Sequence, residues 1–170
     1  MQDSAYVDVL KERYRFDEWK DAGRGEAVTE GAEELSFAAN EFPGWRLVRQ
    51  TRRGVNVPGV RSLARTMWQG DGPDRLLGVD VYVCESPAAA RETLLRLLGE
   101  FQGLQLAPVS GIGDVAFGTP GETAIVFARR HYVAAVRNGG RKVSALGDVA
   151  RALDGRWLPP ERKRTSKPAP

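Results

Sequence analysis

Residues 76–101, LLGVDVYVCESPAAARETLLRLLGEF, carry the pattern on which the fold turns. Leu77, Val79, Val81 and Val83 alternate with Gly78, Asp80, Tyr82 and Cys84, the two-residue period of a strand with one buried face. Ser86 offers a hydroxyl to the orphan amides of a helix, and Pro87 supplies a pre-set φ at its first position. Ala90, Leu94, Leu97, Leu98 and Phe101 then fall on one side of a 3.6-residue period. Gly103 is the expected stop. The unit predicts Leu94 and Leu97 facing the sheet together with Val79, Val81 and Val83.

Working backwards, Tyr6, Val9, Leu10 and Tyr14 recur at helical spacing between Asp3 and Lys20, and a weaker helical pattern runs from Thr29 to Asn40. Pro43-Gly44 ends it, so residues 1–42 read as a helical N-terminal arm. Trp45–Arg52 and Val60–Gln69 read as strands joined by the loop RGVNVPG. Working forwards, GIGDVAFG leads into a short strand, and Thr123–Arg129 with Tyr132–Arg137 forms a hairpin. Ser144 stands where it could cap a closing helix built on Leu146, Val149, Ala150, Leu153 and Trp157.

Both halves thus read β-β-β-α. The fold class is α+β: residues 43–158 form an antiparallel sheet with two helices packed on it, a possible duplicated β-β-β-α unit, next to the helical arm. Residues 159–170, PPERKRTSKPAP, have no apolar anchor and read as a disordered basic tail.

The chain has 170 residues, 42% hydrophobic and 28% charged, as in ordinary globular proteins. No apolar run approaches the ~20 residues that span a bilayer, so no membrane span is expected. The N-terminus lacks a basic n-region and an apolar h-region. Export would require Met1 to stand in place of a removed signal sequence; otherwise the location is cytoplasmic. The one cysteine, Cys84, rules out an internal disulfide and reads as a small hydrophobe on a strand.

The net charge of +3 conceals a strong polarity. Residues 1–41 hold five basic and eleven acidic side chains, a net of −6. Residues 42–70 hold Arg46, Arg49, Arg52, Arg53, Arg61 and Arg65 and no acid, a net of +6. Acids such as Glu33, Glu34 and Glu41 are expected to offset these arginines, with Leu35, Phe42 and Trp45 docking the arm.

Catalytic constellations are scarce. His131, the only histidine, reads as a solvated residue at the hairpin tip, and Ser110 lacks the spacing of a nucleophile elbow. No metal-ligand spacing is present and no cofactor is expected. Gly111–Ala116 matches G-x-G-x-x-A, but it opens a strand and a turn rather than a helix, which removes the phosphate-binding mechanism. It reads as a turn whose glycines take positive φ and whose Asp114 bonds local amides. The tip at Arg129-Arg130-His131 lacks the Gly or Asn of tight hairpins, so it is either longer than two residues or strained.

GIGDVAF, then IVFARRHYVAAV and an amphipathic helix, resembles the G-[IL]-G-D-x-A-[FY] turn, hairpin and helix of small α+β domains in exported bacterial lipoproteins and sensor-like accessory proteins. The resemblance covers residues 76–157 and implies a non-catalytic accessory domain, with no site residue carried over. Those domains have Gly-Asn at the hairpin tip, where this chain has Arg130-His131. The function expected from the sequence is a non-enzymatic binding module for a protein partner. The alternative is a nucleic-acid or polyanion binder using the arginine-rich hairpin 46–65, and an enzyme built on Asp114 and its loop ranks third.

Overall fold

The computed structural model of the protein describes residues 4–19, 35–101 and 106–158. Gly103, the acids Glu33 and Glu34, residues 29–34 of the second helical pattern and the tail 159–170 lie outside them. Seven strands form one sheet: β1 (Arg46–Arg53), β2 (Val60–Gln69), β3 (Leu76–Cys84), β4 (Ala107–Pro108), β5 (Val115–Gly118), β6 (Ala124–Arg129) and β7 (Tyr132–Asn138). Their order is β1-β2-β3-β7-β6-β5-β4, and every pair is antiparallel. The fold is α+β, with helices α1 (Ser4–Arg13), α2 (Pro87–Glu100) and α3 (Gly147–Trp157).

Helix α2 starts where the sequence places it: the Ala89 N–H donates to Ser86 Oγ at 3.1 Å, and Pro87 occupies the first turn. Its apolar side does not meet Val79, Val81 and Val83. Leu94, Leu95, Leu97 and Leu98 pack with Val60, Cys84, Val126, Ala128, Val133 and Ala135, on the opposite sheet face. Leu10 and Tyr14 extend this core, and Trp19 and Tyr14 close on Phe117 at ring distances of 5.7 and 5.1 Å.

Leu77, Val79 and Val81 face a second core with Trp68, Ile125, Phe127 and Val136. It is roofed by α3 through Leu146, Val149, Ala150 and Leu153, and by Leu35, Phe37, Phe42 and Trp45. The central strand is therefore buried on both faces over much of its length. The expectation of a single buried face fails because Tyr82 and Cys84 are apolar enough to carry a core of their own. The first half runs β-β-β-α, whereas the second has four strands, β4 to β7, before α3, and α2 and α3 sit on opposite faces.

Three further expectations are corrected. Leu35–Asn40 contains no α-helix; its backbone turns so that Ala39 C=O accepts the Leu47 N–H at 2.9 Å, tying the segment to β1. Ser144 caps nothing: α3 begins at Gly147, while Ser144 Oγ accepts Arg75 Nε at 3.0 Å and its N–H donates to Asn138 Oδ1 at 2.9 Å. His131 is buried, 5% exposed, with its ring 4.1 Å from that of Tyr132, which stacks in turn on Trp157 at 4.5 Å.

The hairpin tip has two residues, Arg130 and His131, with Arg129 opposite Tyr132 and Arg130 at φ +54°. What holds that backbone is the GIGD turn. Asp114 Oδ2 accepts the Arg130 N–H at 2.7 Å, and Oδ1 accepts Arg129 Nη1 at 2.8 Å. Asp114 therefore bonds the distant hairpin rather than local amides. Arg129 also grips Asp154 of α3 with Nε and Nη2 at 2.7 and 2.8 Å, which raises the guanidinium's pKa, and Asp154 Oδ2 accepts the Gly113 N–H at 3.0 Å. Loop, hairpin and helix are thus joined by one buried ionic cluster. Gly113 is required there: its φ is +62°, and a Cβ would come within 2.6 Å of Ala128 C=O.

Candidate binding face

Among the described residues, the sheet face that carries α2 is covered at one end only. Past Tyr82 the register runs in rungs: Thr51, Arg65, Asp80 and Ala135 form one, and Arg49, Met67, Gly78 and Arg137 the next. Gly78 has no side chain and Met67 is 44% exposed, so the strands leave a trough of about 570 Å³ lined by Arg49, Arg53, Arg65, Met67, Asp80 and Arg137.

Asp80 forms the floor. It is 3% exposed, and its carboxylate accepts Arg65 Nε at 3.0 Å, Arg65 Nη2 at 3.1 Å and Arg137 Nη2 at 2.9 Å. The hydrogen bonds and charge of Asp80 raise the pKa of Arg65. Both guanidinium side chains remain about half exposed, at 52% and 49%. Their free N–H groups are held in place and open to the trough, a fork geometry suited to carboxylate or phosphate oxygens. Arg49 and Arg53 stand exposed on the edge strand. Four arginines and one aspartate leave the trough at a net of +3.

Of the six arginines singled out from sequence, the structure brings Arg49, Arg53 and Arg65 together here. Arg46 lies on the same face one end along, its Nη2 3.5 Å from Gln69 Oε1. Arg52 pairs in register with Ala64 and points to the other face, and Arg61 sits in the bulge between Val60 and Ser62. Glu41 does not offset any of them: its Oε1 takes Arg156 Nη1 of α3 at 2.6 Å, because the 35–45 segment roofs the opposite core.

Sequence reasoning missed Arg137 and Asp80. The signal was there: each is the lone charge in an otherwise apolar strand, and the two are of opposite sign. Strands expected in one sheet with one such acid and one such base invite that pairing.

Cys84 is buried and its thiol is pushed up to about 11, chiefly by burial, so it is not a nucleophile at neutral pH. No helix among the described residues is long and apolar enough to cross a membrane. Comparison with protein-family models, curated proteins and solved structures gave no match to the chain.

Proposed function

We propose that this protein is a non-enzymatic binding module that takes an acidic segment of a partner protein on the arginine-lined trough. The observation that carries the reading is the convergence of Arg49, Arg53, Arg65 and Arg137 around a single acid, Asp80, whose oxygens are already occupied. Such an arrangement attracts anionic groups and offers two of its guanidiniums already oriented, which lowers the entropic cost of binding. Residues 76–157, with their resemblance to small exported bacterial accessory domains, support a role in which the domain binds rather than reacts.

A second reading is a nucleic-acid or polyanion binder. It is favoured by Arg46, exposed on the same face beyond the trough, and by Arg61 and Arg52, exposed at the β2 bulge and on the other face, which put further positive charge along β1 and β2. The test is a titration of the full chain with a glutamate-rich peptide and with a mixed DNA pool, at several salt concentrations. The protein-partner reading expects saturable peptide binding that weakens in Arg49→Gln/Arg53→Gln. Tight DNA binding with a steep salt slope would promote the second reading, since each neutralised phosphate releases counterions.

A further inference from the structure

Strand β1 is one edge of the sheet, and the other edge, β4, has only two residues, one of them Pro108. The start of β1 is closed off by the bond from Leu47 N–H to Ala39 C=O and by the bulge at Val48. Among the described residues, Arg49–Arg53 make no backbone bond on their outer side. Among the described residues the free edge is therefore five residues long, roughly 17 Å at strand rise, and it borders the trough.

We propose that the acidic segment enters as an eighth strand along Arg49–Arg53, with acidic residues at positions i and i+4 opposite Arg53 and Arg49 or the reverse. The proposal rests on the function proposed above and gives it a register. Arg49 and Arg53 lie on the trough face with Thr51 between them, because alternate residues of a strand share a face. An incoming strand places its own alternate side chains beside them, so acids four apart meet both arginines and acids three apart meet only one.

Charge also decides the occupant. A second copy of this edge paired antiparallel about Thr51 would set Arg49 against Arg53 twice, and like charges directly opposite are destabilising. The same arginines that discourage self-association select a strand of opposite sign.

The test uses the full chain and synthetic peptides of identical composition, with glutamates at i and i+4 or at i and i+3 in a threonine-rich background. The i, i+4 peptide should bind up to about fivefold more tightly at low salt, from two cross-strand charge pairs against one. It should also slow hydrogen exchange at the outward-facing, alternate amides of Arg49–Arg53. Methylating its backbone nitrogens at one parity should abolish binding, and at the other parity leave it intact, because only alternate amides face β1. Arg49→Glu/Arg53→Glu should reverse the preference toward lysines at the same spacing.

Equal affinity of the two peptides, or indifference to methylation parity, overturns the added strand while leaving the trough as an acidic-peptide site. Failure of every acidic peptide to bind overturns both readings. Concentration-dependent dimerisation with protection of the same amides would show a second copy on this edge and sink the proposal.

Discussion

Asp80 and Arg137 lie 57 residues apart in the chain, yet Arg137 Nη2 donates to Asp80 Oδ2 at 2.9 Å across the β3–β7 pair. With Arg65 on the other side, the buried carboxylate has a cation in each neighbouring strand. The consequences of removing acid and bases are unequal. Asp80→Asn leaves two half-exposed guanidiniums that turn to water, and should cost about 1–2 kcal/mol, within the range for a lost charged hydrogen-bond network. Arg65→Gln/Arg137→Gln leaves a buried carboxylate unpaired and should cost about 3–5 kcal/mol. Denaturant midpoints for the two variants, read at pH 7, check the ordering.

The two cores are separated by the sheet, and their substitutions should couple accordingly. Leu97→Ala, in the α2 core, should cost about 2–5 kcal/mol. Combined with Val133→Ala, in the same core, it should depart from additivity by at least about 0.5 kcal/mol. Combined with Leu153→Ala, under α3 on the other face, it should be additive within about 0.5 kcal/mol. A double-mutant cycle by chemical denaturation distinguishes these outcomes.

At the hairpin, Arg129→Leu should strand the carboxylates of Asp114 and Asp154 and lower stability by about 3–5 kcal/mol. Gly113→Ala should be costly for a different reason, backbone strain at positive φ plus overlap with the Ala128 carbonyl, at about 1–3 kcal/mol or more. Melting temperatures of the two variants test the assignment, with Gly111→Ala as the control that shares the positive φ, at +78°, but whose Cβ would meet nothing within 4 Å.

Cys84 should be silent toward a thiol reagent at pH 8 in the native protein and react at once in denaturant. Burial is the main cause of its raised pKa, partly offset by its hydrogen bond to Thr93 Oγ1 at 3.6 Å. The neutral thiol is the form the fold prefers, so its contribution to stability is complete below the unfolded pKa of about 8.5 and is lost as pH climbs through about 11. The stability difference between the native sequence and Cys84→Ala, measured at pH 8 and again above pH 11, should shift against the native sequence.

Much of the architecture was legible because it is local. The alternation in Leu76–Cys84, the Ser86 cap and the hairpin flanks all depend on neighbours a few residues away, and each matches the observed element. The face that α2 covers was not legible. Leu94 and Leu97 specify that the helix buries a side, but Val79/Val81 and Tyr82/Cys84 offer it two apolar surfaces, and the chain's path chooses between them. His131 was misplaced for a related reason: nothing next to Arg130-His131 announces that Asp114 folds back over the tip. Of the binding face, the arginine cluster was visible as composition. Its geometry was not, since Arg137 reaches Arg49 only through the registers of three strand pairs.

The place of β7 beside β3 has a consequence for how the protein is made. As synthesis proceeds, β3 and the leucines of α2 leave the ribosome well before Val126, Ala128, Val133 and Ala135, the surface on which those leucines close. Tyr14 and Trp19, made well before Phe117, likewise await it. Neither half can complete its interior alone, so a chain that ends before Asn138 leaves the leucine stripe of α2 without the strands that cover it, transiently exposed apolar surface of the kind that promotes aggregation. The pairing of β3 with β7 joins residues about fifty or more apart in the chain, and long-range pairing of that kind slows folding.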